Sequence, residues 1–189
     1  MLSSWLFVFR VLFMNDSIEH LILVDEQDQQ QGVADKLTVH QQGLCHRAFS
    51  VFVWRHHDNT EILLQQRQWN KYHCGGLWTN TCCGHPRPGE SIQDAAQRRL
   101  QEEMGLQMQL DWCGKFHYVA PFTNGLVENE VDHVFIAQYQ GETIQPNDNE
   151  VSDHCWTSIT RLKGELIDSG QHYTPWLNQA LDVILQKIG

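Results

Sequence analysis

The chain has 189 residues, 41% hydrophobic and 10% aromatic, which is enough for one domain with a real core and argues against a second. With apolar periodicity through most of its length and 19% charged residues, wholesale disorder and a coiled coil are excluded. The net charge of −10 argues against general nucleic-acid binding, which needs cations to neutralise phosphates, so an anionic substrate would require a local cationic site or a bound metal.

Residues 1–13, MLSSWLFVFRVLF, are apolar apart from Ser3, Ser4 and Arg10. A bilayer span needs about 20 residues, and the run lacks both the leading positive charge and the small-residue cleavage site of a signal peptide. Residues 1–15 are therefore expected to be an extension, disordered or derived from an upstream start, ahead of one domain over 16–189 and without stable membrane insertion. Residues 20–24 (HLILV) read as a buried strand, and the polar stretch 25–35 with Gly32 as a turn. AFSVFVW at 48–54 alternates, 56–60 is a turn, and 61–66 is the return strand of a hairpin. A loop over 68–76 ends in Gly75-Gly76 and is followed by a helix at 90–104. Strands follow at 115–119 and from Val127 to Tyr139, then a loop at 146–150 and a short strand at 154–156. Thr174 can cap the last helix and Pro175 suits its first position, with Trp176, Leu177, Ala180, Leu181, Ile184, Leu185 and Ile188 as one apolar stripe. Runs of strands with a few helices between them predict a mixed α/β (α+β) sandwich. The six cysteines form no secretory or zinc-knuckle pattern, which fits reduced thiols in a cytoplasmic protein.

The helix at 90–104 carries charges on its inward face. Ile92, Ala95, Ala96 and Leu100 define that face, and Arg99 and Glu103 fall near its middle, while Gln93, Asp94, Gln97, Arg98 and Gln101 point away. Buried charges are costly unless paired or ligated. Either Arg99 and Glu103 form an i, i+4 ion pair, or Glu103 faces a metal or polyphosphate pocket. From Gly84 to Leu106 the chain reads G-x5-E-x7-R-R-L-x-E-E-x-G-L, which resembles the Nudix box with one departure, Arg99 in place of a glutamate. In that family the box is a loop–helix–loop whose carboxylates hold Mg²⁺ on a diphosphate. The departure speaks against hydrolysis and leaves the fold and diphosphate binding in place.

Three further patterns lie outside the helix. Cys83 and His85 are two apart, so on an extended segment they share a face, whereas Cys82 points the other way. Glu128 and Glu130, in V-E-N-E-V, share a face in the same manner, where like charges repel unless a cation lies between them or one is protonated. An outward, solvated face is the other reading of that acidic pair. His40 and His46 flank a turn at Gly43. Three imidazoles with two carboxylates would make an N/O site for a divalent transition metal.

Together the Cys-Gly-His of 83–85, the Glu-Asn-Glu of 128–130 and the altered box between them resemble type I isopentenyl-diphosphate isomerases, enzymes of Nudix fold. The resemblance runs from about Asp16 past Pro175-Trp176 and implies a single mixed-sheet α/β/α sandwich. It implies a metal site of His40, His46, His85, Glu128 and Glu130 for one Mn²⁺, Zn²⁺ or Mg²⁺ ion, and a Mg²⁺ ion arriving with the diphosphate at Glu103. It makes Cys83 and Glu130 the acid–base pair, with Tyr118 supporting Glu130 and Trp176 facing the reacting carbons, and gives Lys36, Arg67, Lys71 and Arg99 to the diphosphate. Two features depart from the family pattern: the His40–His46 interval is one residue short, and Cys82 places a second thiol beside Cys83. The implied partner is a small prenyl diphosphate, not a nucleic acid, and the implied assembly a monomer or homodimer. A Nudix diphosphate hydrolase is the alternative enzyme, and a non-catalytic diphosphate- or metal-binding module the alternative class. Phosphate release would mark the first, and prenyl diphosphate bound but unchanged the second.

Overall fold

The computed structural model describes residues 19–56, 60–71 and 73–188. The N-terminal extension and most of the 56–60 turn lie outside the described residues. Strand β1 (His20–Val24) pairs antiparallel with β2 (Gln30–Asp35), so the stretch expected to be a turn is a hairpin whose second strand is mostly polar and half-exposed. A strand with so little to bury shows no apolar alternation to read. Helix α1 (Lys36–Gln42) was also not expected, because seven residues are too few for a periodic signal. Its ends are nonetheless encoded. Asp35 accepts from the Thr38 amide at 2.9 Å, and Gly43 closes it in the left-handed conformation at φ 61°.

The central strand is β3 (His46–His56), longer than predicted at both ends. Next come β4 (Thr60–Arg67), the short β5 (Trp78–Thr79) and β6 (Cys82–Gly84), and helix α2 (Ile92–Met104), capped by Ser91 and ended by Gly105 at φ 70°. Then follow β7 (Asp111–Pro121), β8 (Val127–Gln138), β9 (Val151–Ser158), α3 (Ile159–Ser169), a 3₁₀ turn at Gly170–His172, and α4 (Leu177–Ile188). Helix α3 escaped the sequence reading because Leu162 is its one fully buried residue. Helix α4 begins later than expected. The Thr174 hydroxyl meets Thr79 Oγ1 at 2.8 Å instead of capping the helix, and Pro175 and Trp176 lie in the turn before it.

Strand β3 organises the sheet. On one edge it pairs in parallel with β8, which pairs antiparallel with β7; along its other edge lie β1, β6 and β4 in succession. Side chains alternate between two cores as the pleat requires. Phe49, Val51, Val53, Leu63, Phe135 and Ala137 pack under α2, whereas Phe52, Ile62, Leu64, Val134 and Ile136 pack under α3 and α4. This is the expected α/β/α sandwich. Among the described residues no helix is long and apolar enough to cross a membrane.

Candidate active site

The sheet face under α3 and α4 changes character toward the N-terminal halves of β3 and β8. Beyond Phe52 and Val134 it carries Ser50, Ala48 and His46 on β3, and Asp132, Glu130 and Glu128 on β8. The parallel register sets His46 beside Glu130. On the opposite edge of β3, β6 places Cys83 across from Ser50 on this same face, and Cys82 across from Val51 in the core under α2. Ala48, Ser50, Cys83, Glu128, Glu130 and Asp132 line one cavity of about 790 Å³ together with Lys36, Arg67, Lys71, His85, Arg99, Glu103 and Trp176.

Ligand atoms of His40, His46, His85, Glu128 and Glu130 all lie within 4.8 Å of one another, so this group could hold a metal ion. The fit is more than proximity. His40 Nδ1 lies 2.6 Å from the Lys36 carbonyl and His46 Nδ1 2.9 Å from the Leu44 carbonyl. A carbonyl accepts only, so Nδ1 of each ring holds a proton, and in the tautomer a metal ligand needs, Nε2 turns its lone pair to the centre. Both nitrogens sit near Glu128 Oε2, at 3.2 and 3.6 Å, yet His46 Nε2 and Glu128 Oε2 are buried without a well-directed hydrogen bond. Lone pairs aimed at a shared point instead of at one another are what a cation would satisfy.

Burial and neighbouring charges together set the charge states: against the cost of burial, Glu130 and Glu128 raise His46 above its ordinary value. Desolvation lowers His85 to about 4 despite its 2.9 Å contact with Glu130, which leaves it neutral as a ligand must be. Burial opposes ionisation of Glu128 and Glu130 as well, but the surrounding imidazoles hold both below the usual carboxylate range. Tyr118, facing Glu130 across the β7–β8 pair, donates its hydroxyl to Glu130 Oε2 at 2.5 Å, and burial with that carboxylate raises its own pKa. Burial pushes the Cys83 thiol up to about 12, against the pull of Arg67, whose Nη1 lies 3.3 Å from the sulfur.

The cavity is also lined by the cations Arg67, Lys71, Arg99 and Lys36. Lys36 pairs with Glu19 at 2.8 Å. Arg99 pairs with Glu103, with Glu102 at 2.8 Å and with Glu150 at 3.2 Å. The i, i+4 ion pair and the cavity-facing Glu103 are thus both present, with Gln65 Nε2 donating to the second Glu103 oxygen at 2.7 Å. Arg98, expected to point away, instead reaches the cavity rim, because Glu90 holds its guanidinium at 2.7 and 2.9 Å. Trp176 is 3% exposed and lines both cavity and core. Its Nε1 donates to Asn80 Oδ1 at 3.1 Å, while Asn80 Nδ2 donates to the Cys82 carbonyl, so one buried amide fixes both the indole and β6.

Several contributors were not foreseen from sequence. Asn80, Asp132 and Glu150 sit in no motif the reading used, and Ser50 stands inside an apolar strand, where a lone polar residue was the available signal. Ser50 donates to Asp132 Oδ2 at 2.8 Å, and Glu150 binds Lys71.

A model of the NUDIX domain matches residues 45–177. The chain is 46% identical to the isopentenyl-diphosphate Delta-isomerase of Serratia proteamaculans over 84% of this chain and 87% of that one. It is 43% identical to isopentenyl-diphosphate Delta-isomerase 2 of Aromatoleum aromaticum, over 88% and 87%. Among solved structures, a Deinococcus radiodurans protein superposes with a TM-score of 0.70 at 19% identity, over 87% of this chain and 98% of that one. A MutT protein from Methanosarcina mazei gives 0.61 at 17%, over 76% and 94%.

Proposed function

The chain belongs to the isopentenyl-diphosphate Delta-isomerases, within the NUDIX fold, and from that membership we propose how its residues interconvert isopentenyl and dimethylallyl diphosphate. The observation that carries the reading is one cavity that holds both a set of cations and a set of acid–base groups. Lys71 and Arg99, joined through Glu150, and Arg67, whose Nη1 lies 3.3 Å from Cys83 Sγ, offer cations to a diphosphate, while Cys83, Glu130 and Trp176 face the space left for a short hydrocarbon.

The reaction moves a double bond by one position. One acid adds a proton to the terminal methylene carbon, leaving a tertiary cation. A base then takes a proton from the methylene on the other side, and that C–H electron pair becomes the new double bond. Cys83 from β6 and Glu130 from β8, on either side of β3, are the two proton carriers. Tyr118 holds Glu130 in place through its 2.5 Å hydrogen bond. The Trp176 ring, fixed by Asn80, turns a π face to the cation. Tyr118, Ala120 and Trp176, with Phe116 packed against them, exclude water that would trap the cation as an alcohol.

His40, His46, His85, Glu128 and Glu130 would hold a divalent ion, which when bound orients Glu130 and tunes its acidity. Three imidazoles favour Mn²⁺ or Zn²⁺ over Mg²⁺ at this site. Glu103, paired with Arg99, would hold the Mg²⁺ that accompanies the diphosphate.

Turnover of isopentenyl diphosphate in D₂O tests the reading. Dimethylallyl diphosphate carrying solvent deuterium in its methyl group is expected, with no phosphate released. Phosphate release without isomerised product would replace the proposal with a hydrolase.

A further inference from the structure

His73 belongs to none of the roles above, yet it is buried at the edge of the five-residue group, at 8% exposure. It sits in the β4–β5 loop, two residues after Lys71. Local backbone geometry holds it there. Cys74 adopts the left-handed conformation at φ 51°, and Gly76, at φ 77°, lies so close to the Trp69 ring that an added Cβ would fall 2.3 Å from it.

The two oxygens of Glu128 have different surroundings. Oε2 faces His40 and His46, whose lone pairs point at the same centre. Oε1 faces His73, with Nε2 at 2.5 Å. His73 therefore meets the oxygen of the carboxylate that His40 and His46 do not. An ionised carboxylate only accepts, so Nε2 of His73 carries the proton of this hydrogen bond. The ring is packed besides, 5.3 Å from Phe122 and 5.6 Å from His40 between centroids.

We propose that His73 is a positioning residue of the metal centre, donating Nε2–H to Glu128 Oε1 and so turning Oε2 toward the ion. The proposal rests on the reading of His40, His46, His85, Glu128 and Glu130 as that centre. A side chain held only by its own torsions would sample orientations in which Oε2 leaves the ligand set. A donor on the outer oxygen removes them, as partners of ligating groups commonly do. Because β4 ends on Arg67 and the loop after it carries Lys71, His73 also ties the diphosphate cations to the metal carboxylate.

Co²⁺ affinity of the chelator-stripped protein, read by competition with a chromophoric chelator, tests this without reference to turnover. His73→Phe keeps the aromatic packing and removes the donor, so Co²⁺ binding should weaken by about 10–100-fold. His73→Gln places an amide N–H near the Nε2 position, so affinity and the Co²⁺ absorption spectrum should stay close to those of the wild type. If His73→Phe does not fold, His73→Asn takes its place, since its shorter amide cannot reach Oε1, and the same loss is expected. Wild-type affinity in the donor-free variant overturns the proposal, and so does a His73→Gln variant as weak as His73→Phe. An altered Co²⁺ spectrum in His73→Gln would make His73 itself a ligand and also overturn it. Failure of the wild type to bind Co²⁺ would instead remove the metal centre, and this proposal with it.

Discussion

Cys82 and Cys83 are adjacent, and replacing each by alanine should give opposite results. Cys83 faces the cavity beside Arg67, whereas Cys82 is fully buried among Ala96, Leu100 and Phe135 under α2. A positioned proton carrier contributes about 10²–10⁴-fold, and at about 1.4 kcal/mol per tenfold that is ~2.8–5.6 kcal/mol of barrier. Without the thiol, one side of the alkene also lacks any proton carrier, so Cys83→Ala should lose at least that much turnover. Its fold should survive, because the sulfur borders open cavity and its removal leaves no closed void. Cys82→Ala removes the same atom from a packed core, so it should lower stability by about 1 kcal/mol and keep most of its activity. The assay is steady-state conversion of isopentenyl diphosphate for both variants, with calorimetric binding of inorganic diphosphate and a thermal melt. An inactive Cys82→Ala beside an active Cys83→Ala would refute the register of β6 against β3. Full activity in both would refute thiol participation altogether.

Chelation should abolish turnover, and added Mn²⁺ or Zn²⁺ should restore it; His85→Ala should not recover, while Arg98→Ala, tied to Glu90 at the rim, should keep its metal. Unchanged activity after verified metal removal would sink the site. Glu103→Gln should weaken substrate binding and raise the Mg²⁺ requirement, whereas Glu102→Gln, more exposed and engaged with Arg98 and Arg99, should do less; equal effects in titrations with Mg²⁺ would contradict the placement of α2. Burial, with repulsion from Glu130, holds the Asp132 carboxyl protonated well above its usual range. The native state thus keeps a proton that the unfolded chain releases, so this group's contribution is present at low pH and lost as pH rises through the raised value. In chelated protein, the melting-temperature gain of Asp132→Asn over wild type should therefore grow as pH rises above the ordinary carboxyl range of about 4, and a constant difference would contradict it.

Much of the site was legible because its parts sit on strands. A period of two fixes which of Cys82 and Cys83 shares a face with His85, and puts Glu128 and Glu130 on one side of β8. The helical period likewise placed Glu103 inward, and Glu103 is 5% exposed. What escaped were groups brought in by tertiary approach. His73 and Glu150 lie on loops, where no period relates them to anything, and only the folded chain shows one against Glu128 and the other against Lys71. Arg98 was misplaced for a related reason: helical phase gives a direction, but Glu90, eight residues earlier in the preceding loop, pulls the long side chain to the rim.

The same pairing explains how an acidic chain can hold a cavity for an anion. Strands β3 and β8 run parallel, so both turn polar at the same level, below Phe52 on one and Val134 on the other. Apolar burial along one stretch of the sheet thus fixes the register in which His46 meets Glu130 on the next, since a slip of one residue would turn both cores inside out. The carboxylates gathered there would repel a diphosphate if they were uncompensated. They face imidazoles instead, and Arg67 and Arg99 stay charged against the cost of their burial because Glu103 lies near both. The net charge of −10 is therefore a poor guide to the field inside the cavity, where α2, the end of β4 and the loop after it bring Arg99, Arg67 and Lys71 into the same space as the acids of β8.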